Sequence, residues 1–181
     1  MRNLRLALLL ALAVASSGCL VLSLQPAYDD QSLTFDEALI GRWENAEDQT
    51  AVTFERAEWR SYKVTYSDRF TTWAFHASLT KIGPLLLLDL SEPAGTDPGP
   101  SLIPVHALYR VAVEGDTLTA SALDYDWFSD AMARRTLGRL AVAVDGRRNE
   151  IVTSPTSQFR AWLAHAPAAA FGAPMTFSRK T

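Results

Sequence analysis

The side chains that could do chemistry are few in this 181-residue chain, and their spacing suits it poorly. The histidines are His76, His106 and His165. His76 and His106 each lie in a predicted strand, on the face opposite its apolar side chains. Neither has a carboxylate or cysteine at the spacing of a zinc site. His165 stands just before Pro167 at the end of an expected helix, where the helix dipole favours it. We therefore expect solvated surface histidines rather than a metal site.

The acidic residues give no stronger pattern. Asp124, Asp126 and Asp130 are spaced like calcium ligands, but the glycine and distal glutamate of a hand-type loop are missing, and an aspartate at a helix start already has a capping role. The chain also lacks a Gly-x-Ser-x-Gly elbow, a phosphate-binding glycine loop and a His-Glu-x-x-His sequence. We predict no metal, no cofactor and no enzymatic activity. A hydrolase that uses carboxylates on its strands is the less favoured alternative.

The N-terminus has the most informative pattern in the chain. Two arginines precede an apolar run over residues 6–15, and the small residues Ser16-Ser17-Gly18 follow it directly before Cys19. A charged start, an apolar stretch too short for a transmembrane helix and small residues before a cleavage point are typical of a secretory signal. This pattern predicts that residues 1–18 are a signal peptide.

The sequence Ser16-Ser17-Gly18-Cys19 resembles the lipobox of bacterial lipoproteins. The resemblance implies cleavage before Cys19 and attachment of acyl chains such as palmitate, and two or more chains anchor a protein stably to a membrane. Leu20, in place of an aspartate after the cysteine, resembles the signal for sorting to the outer membrane in bacteria with two membranes. The implied location is the outer membrane, facing the periplasm. The alternative is an ordinary secreted protein with a chance cysteine.

Composition limits the partners and the number of domains. Acidic residues outnumber basic ones by 20 to 17, which gives a formal net charge of -3 at pH 7. This balance argues against binding to nucleic acid and against electrostatic adsorption to anionic headgroups. The single cysteine excludes internal disulfides. We expect residues 19–33 to form a lipidated, irregular tether and residues 34–181 to form one domain.

Alternation of apolar and polar residues with a period of two predominates after residue 48, and turn sequences interrupt it regularly. The fold class is therefore mainly β, an antiparallel meander that forms either a small barrel or a sandwich. A Pro/Gly-rich loop is expected over residues 91–101. The pattern predicts strands at 49–55, 59–67, 70–81, 85–90, 102–113, 117–122, 140–144, 150–153 and 175–179.

Two helices are expected among the later strands. Asp126 can cap a short inserted helix that reaches Arg135. Ser154-Pro155 is a favourable opening for a C-terminal amphipathic helix. Residues 85–90 are apolar on both faces of their strand, so an element outside the sheet must cover them, and we expect the C-terminal helix to do so. The apolar face of that helix consists of Phe159, Trp162, Leu163 and Ala166.

A sequence at the start of the first barrel strand points to a known group of barrels. Thr34 and Glu37 fit a capping box, which predicts one helical turn ending at Gly41. The Gly41-x-Trp43 sequence after this turn resembles the opening of the calycins, the ligand-binding barrels that include lipocalins and avidins. The resemblance implies a small barrel whose floor is plugged by Trp43, with Arg179 as the basic residue that covers the tryptophan. Any other small antiparallel barrel, or a sandwich, is the alternative.

Two groups of aromatic and sulfur-containing side chains are candidates for binding. The first group lies on inward faces of the strands, where it either fills the core or lines an apolar cavity. The second lies in the helical insertion, where it either caps the mouth of the barrel or contacts a partner outside it. The first group is Tyr62, Tyr66, Trp73, Phe75 and Tyr109, and the second is Tyr125, Trp127, Phe128 and Met132.

These patterns support one function hypothesis and one runner-up. The first is an outer-membrane lipoprotein without catalytic activity that binds a hydrophobic small molecule or lipid in the cavity of a calycin-like barrel. The runner-up is an accessory module that binds another protein of the cell envelope through the insertion and the 91–101 loop. An envelope hydrolase is the third alternative.

Overall fold

The computed structural model describes residues 20–93 and 104–180, and strands are its main regular structure. The predicted signal peptide, Cys19 and most of the 91–101 loop fall outside the described residues. Two α-helices are present, α1 (Tyr125–Ala133) and α2 (Thr156–Leu163), with single 3-10 turns at Glu37–Leu39 and Ala168–Ala170. The strands are β1 (Val21–Ser23), β2 (Leu33–Thr34), β3 (Gly41–Asn45), β4 (Thr50–Arg56), β5 (Ser61–Ser67), β6 (Thr72–Ile82), β7 (Leu85–Ser91), β8 (His106–Glu114), β9 (Thr117–Ala122), β10 (Val142–Val144), β11 (Glu150–Val152) and β12 (Met175–Lys180).

Eight of these strands close into an antiparallel barrel. Strands β3 to β9 pair in chain order, and β12 pairs with both β3 and β9. The closing registers place Arg179 opposite Trp43 and Phe177 opposite Leu118. Closure removes the exposed sheet edges that an open sandwich would leave. The predicted fold class, a small calycin-like antiparallel barrel with an inserted helix and a C-terminal helix, is confirmed.

The two ends of the barrel differ. At one end, here called the floor, the β4–β5, β6–β7 and β8–β9 hairpins turn, and the 3-10 turn at 37–39 lies against them. At the other end, the mouth, the β3–β4 and β5–β6 hairpins turn, and β12 enters the sheet at Met175. Inward side chains pack together in the floor half of the barrel. They are Leu39, Trp43, Phe54, Tyr62, Val64, Ala77, Leu79, Leu88, Val111, Leu118 and Phe177.

A second core lies outside the barrel. Strand β7 turns Leu86, Leu88 and Leu90 inward, so Leu85 and Leu87 face outward and need a cover. Helix α2 supplies part of it, because its buried side chains pack in the same cluster as Leu87, as the two-sided pattern of β7 predicts. Helix α1 completes this outer core. Its buried members are Val21, Ala27, Ile82, Leu87, Leu108, Leu123, Phe128, Ala131, Leu137, Leu140, Val152, Phe159, Leu163, Ala170 and Phe171.

The tether predicted for residues 19–33 is wrong for residues 20–33. Strand β1 pairs in parallel with β11 and antiparallel with β8, and Ala27 is completely buried. Polar contacts fix the rest of this segment: the Ala27 N–H donates to Asp89 Oδ2 at 2.7 Å, and Arg160 Nη1 donates to the Ala27 carbonyl at 2.7 Å. A strand of three residues is too short for its alternation to stand out in sequence.

Aspartates cap the 3-10 turn at 37–39 and helix α1, at positions that differ from those predicted. Asp36 Oδ1, rather than Thr34, accepts from the Ala38 N–H at 2.9 Å, and the turn ends at Leu39 so that Gly41 already begins β3. Asp124 Oδ1, rather than Asp126, accepts from the Trp127 N–H at 2.7 Å and begins α1. In each case the better placed of two nearby oxygens caps the helix, which composition cannot distinguish.

Strand β8 begins later than predicted. Pro104 has no N–H to give to the ladder, and the strand starts at His106.

Among the described residues, no helix is both long and apolar enough to cross a membrane.

Removing the side chain of Phe159 should destabilise the outer core. Phe159→Ala leaves a cavity between α2 and the barrel, and we expect the free energy of unfolding to fall by about 3–5 kcal/mol. Chemical denaturation measures this change. The exposed Gln158 on the same helix provides the control, and Gln158→Ala should shift the midpoint little. Equal shifts for the two variants would show that α2 is not packed as described.

Glu150 on β11 should make stability depend on pH. Burial raises the pKa of its carboxyl above the ordinary value of 4.5, although a hydrogen bond with Ser129 opposes the shift, and Oε2 has no partner. Because the folded pKa is the higher one, the folded protein binds more protons between the two pKa values, and the free energy of unfolding falls as the pH rises through that window.

Glu150→Gln removes this titration. The variant should gain stability over the wild type as the pH rises above about 4.5, and the gain should level off above the folded pKa. Denaturation midpoints measured from pH 4 to pH 8 test this expectation. Glu58→Gln, at an exposed position, is the control and should follow the wild type. A constant offset between wild type and Glu150→Gln would contradict it.

Candidate functional site

The floor of the barrel is closed by a tryptophan under an arginine. Trp43 is completely buried, and its Nε1–H donates to the Leu39 carbonyl at 2.9 Å. The guanidinium carbon of Arg179 lies 4.1 Å from the centre of a Trp43 ring, a cation–π contact. Arg179 also donates from Nη1 to the Ile40 carbonyl at 2.9 Å and from Nη2 to the Ala38 carbonyl at 2.6 Å. One side chain therefore holds β12, the tryptophan and the 3-10 turn together.

Gly41 is needed where the chain enters β3. Its φ of +124° lies in a region that side chains disfavour, and a Cβ at this position would stand 3.2 Å from Arg179 Nη1. Glycine thus lets the backbone pass beneath the guanidinium. The structure brings Gly41, Trp43 and Arg179 into one contact group, as the calycin resemblance implied.

Tyr62, predicted as a cavity candidate, belongs to the floor instead. Its ring stacks on Phe35 with the ring centres 4.6 Å apart, and it meets Phe54 edge-on at 6.0 Å. The hydroxyl accepts from the Asp36 N–H at 2.7 Å and donates to the Asp36 carbonyl at 3.1 Å. Burial raises the pKa of the phenol, so it stays neutral. The 3-10 turn covers this end of β5, which alternation within β5 could not reveal.

Above the floor the barrel is hollow. A cavity of about 530 Å³ opens toward the mouth, within the range of about 300–1,000 Å³ typical of small-molecule sites. Its walls are almost entirely apolar, and Glu92 at the mouth is the single charged group among its described lining residues. The lining is Leu20, Leu22, Val52, Phe54, Val64, Tyr66, Trp73, Phe75, Leu88, Leu90, Ser91, Glu92, Val105, Ala107, Tyr109, Val111, Leu118, Ala120, Met175 and Phe177.

Four of the five predicted inward aromatics line this cavity: Tyr66, Trp73, Phe75 and Tyr109. Burial is the main cause that raises the pKa of the Tyr66 and Tyr109 phenols, so both present neutral hydroxyls. The inward faces follow from alternation, but a void rather than a filled core does not.

Leu20 and Leu22 are lining residues that sequence reasoning missed. They reach the cavity because β1 pairs with β8 at its mouth end, opposite His106 and Ala107. The alternation Leu20, Leu22 was visible in sequence, but two residues beside a predicted signal peptide are a weak signal. Their position brings the residue after Cys19 to the mouth of the barrel.

The residues of the insertion do not line the cavity. Phe128 is completely buried in the outer core, and Trp127 and Met132 pack against it. Trp162 of α2 lies 5.2 Å from Phe128 between ring centres and 6.1 Å from Trp127. Tyr125 packs against the same core. Of the two alternatives given for this group, the structure does not support capping of the mouth, since α1 lies against β11 on the side of the barrel.

The expectation of solvated histidines is wrong for His106. Its Nδ1 lies 2.6 Å from Asp89 Oδ1, and both side chains are largely buried beside the N-terminal segment. Asp89 precedes His106 by 17 residues and comes beside it only because β7 pairs with β8, so the sequence around His106 does not reveal this partner. His165 Nδ1 bonds the Ala161 carbonyl at 3.0 Å, at the end of α2. Within residues 20–93 and 104–180, no three histidine, cysteine or acidic side chains come together as metal ligands.

Comparison with known proteins does not assign a family. The chain matches no protein-family model, no curated protein and no solved structure. The fold and the cavity therefore carry the functional argument.

Removing Arg179 should loosen the floor. Arg179→Ala loses two charge-assisted hydrogen bonds and the contact with Trp43, and we expect the free energy of unfolding to fall by about 2–4 kcal/mol. Lys180→Ala is the matched control, because Lys180 makes only an exposed ion pair with Glu44, and it should cost less than about 1 kcal/mol. Denaturant unfolding followed by Trp fluorescence measures both. A loss for Arg179→Ala no larger than for Lys180→Ala would contradict the floor assignment.

Proposed function

We propose that this chain is a non-catalytic bacterial lipoprotein that binds an apolar small molecule or a lipid chain inside its barrel. The observation that carries the proposal is the cavity of about 530 Å³ with apolar walls and one open end. An apolar occupant removes these walls from contact with water, so the cavity favours a ligand of that kind.

The chemistry of the walls selects the ligand. The described lining has one charged side chain, Glu92, and it is exposed at the mouth. The other polar side chains of the described lining are Ser91 and the neutral phenols of Tyr66 and Tyr109. A ligand with a charge inside the barrel would lose its hydration without gaining a partner. The ligand should therefore place an apolar chain or ring in the barrel and its polar group toward the mouth.

The floor makes the mouth the entry route. Trp43, Tyr62 and Arg179 close the opposite end with packed rings and hydrogen bonds. Each strand of the barrel is joined to its neighbours by a hydrogen-bonded ladder, so a ligand that enters between paired residues must break one. The ligand is thus held with its apolar part toward Trp43.

The anchor places this mouth at a membrane. Cys19, the residue with the lipobox resemblance, directly precedes Leu20 on the cavity wall. Acyl chains on Cys19 would hold the protein to the outer membrane, facing the periplasm, and a pair of chains would make the attachment stable. An apolar binding site would then lie beside a lipid source.

The runner-up, an accessory module acting through the insertion, has less support. Its aromatic side chains are used to cover the outside of the barrel, with Phe128 fully buried. A hydrolase has less support too, because among the lining residues that the structure describes no histidine is present and the single carboxylate is exposed.

Filling the cavity should abolish ligand binding. Ala120 faces into the barrel from β9, and Ala120→Trp places an indole in the void. Ala112→Trp adds the same indole on the exposed outer face of β8 and is the matched control. The full chain of each variant is produced in bacterial cells, purified in mild detergent and examined by native mass spectrometry with solvent extraction of bound lipid.

We expect a stoichiometric non-covalent apolar adduct on the wild type and on Ala112→Trp, reduced at least ten-fold on Ala120→Trp. Any acyl chains on Cys19 appear separately, as a covalent mass increase. Circular dichroism and unfolding midpoints establish that both variants fold. Equal adduct on all three proteins, or a clean apo mass for folded wild type, would sink the proposal.

A further inference from the structure

The mouth of the barrel is apolar on its outside as well as within. Four large apolar side chains are exposed there: Leu20 at 50%, Phe70 at 92%, Trp73 at 56% and Met175 at 39%. We call these four residues the rim. Among the described residues only two other large apolar side chains are exposed, Trp59 and Val144.

Three segments of the chain build the rim. Leu20 precedes β1, Phe70 and Trp73 lie in the β5–β6 hairpin, and Met175 begins β12. Strand pairing sets them at one end, because the β5–β6 hairpin turns at the mouth and β12 enters there. Three of the four also line the cavity, whereas Phe70 does not, so the apolar surface runs from the barrel interior onto its outer edge.

A packing role does not explain these side chains. Neither core contains Leu20, Phe70, Trp73 or Met175. Clustered exposed apolar groups around an opening are typical of surfaces that contact another molecule or a membrane. Tryptophan also favours the boundary between water and lipid, where its ring is buried and its N–H stays near polar groups.

We propose that the rim inserts into the surface of a phospholipid membrane, so that the cavity opens directly onto the lipid acyl chains. The position of the chain that precedes the described residues identifies the membrane as the occupant. Leu20 is itself a rim residue, and Cys19 comes immediately before it. An acylated Cys19 must therefore enter the bilayer within one residue of the rim. This step rests on the lipid attachment that the proposed function includes.

The charges near the mouth select the kind of lipid. Asp48, Asp68 and Arg69 line a shallow depression beside Phe70, and Glu92 lies at the cavity opening. The turn at 145–149 lies beside Leu20, because Asn149 Oδ1 accepts from the Leu20 N–H, and it adds one aspartate and two arginines. Acidic groups still outnumber basic ones by four to three, so the mouth has no net positive charge to attract anionic headgroups. Insertion is driven by burial of apolar surface, and zwitterionic phospholipids suffice.

The barrel offers a matched pair of positions for testing this orientation. Phe70 lies on the rim outside the cavity, and Trp59 lies in the β4–β5 turn at the floor with 93% exposure. The full chain is reconstituted into phosphatidylcholine vesicles that contain phosphatidylcholine with brominated acyl chains, which quench tryptophan at short range. Phe70→Trp adds a reporter at the rim, and Trp59→Phe removes the one at the floor.

We expect the added tryptophan of Phe70→Trp to lose most of its emission in brominated vesicles, measured as the difference from wild type. Trp59→Phe should leave the amount of emission lost to quenching unchanged and raise the quenched fraction, because Trp59 stays in water and contributes only unquenched emission. Adding anionic phosphatidylglycerol should not increase quenching at position 70. An unquenched Trp at position 70, or quenching at both ends of the barrel, would overturn the proposal.

The cavity-filled background separates this proposal from the proposed function. Ala120→Trp blocks the void, and Phe70→Trp in that background should still be quenched relative to Ala120→Trp alone, since insertion of the rim does not need a ligand. Quenching lost only in the blocked protein would mean that brominated lipid reached position 70 through the cavity, against rim insertion. Finding the acyl chain of Cys19 inside its own barrel, with an unquenched rim, would likewise overturn it while leaving cavity binding in place.

Discussion

The contact of Arg179 with Trp43 is the interaction on which the barrel depends. Closure requires the last strand to return beside the first, and a strand of six residues on its own gives little energy to do so. The guanidinium adds charge-assisted bonds to the carbonyls of Ala38 and Ile40 and covers the indole. The same side chain therefore supports the return of β12, the packing of Trp43 and the position of the 3-10 turn.

A closed floor gives the barrel its polarity. Around Trp43 and Tyr62 the interior is packed, and the free volume is confined to the other half. Packing alone would favour filling that half too, because empty apolar space costs contacts. The outer core offsets this loss by burying the outward face of β7 beneath α1 and α2. A hollow barrel remains stable here because much of its burial takes place outside it.

The N-terminal segment is held against the barrel where the proposed lipid anchor would attach. Strand β1 is held on both edges, by β8 and by β11, and Asp89 fixes the chain beyond it at Ala27. With no free tether between Cys19 and the barrel, anchoring would also orient the mouth. Compared with a protein on a flexible linker, this one would need less conformational search to take a lipid from the bilayer surface.

The sequence alone determined many local features of this protein. Period-two alternation predicted the strands from β4 onward, and apolar spacing predicted both helices, although Asp124 rather than Asp126 caps α1. The sequence also marked Gly41, Trp43 and Arg179 as candidates for the floor. Only the tertiary structure decided what depends on distant partners. Residues 20–33 and the second aromatic group have no distinctive pattern in the sequence. In the structure, β1 pairs with β11, and Phe128 of the second group packs against Trp162 of α2. Tyr62 shares a strand face with Tyr66, but a segment far along the chain covers it. The void follows from how eight strands close, a property no single strand encodes.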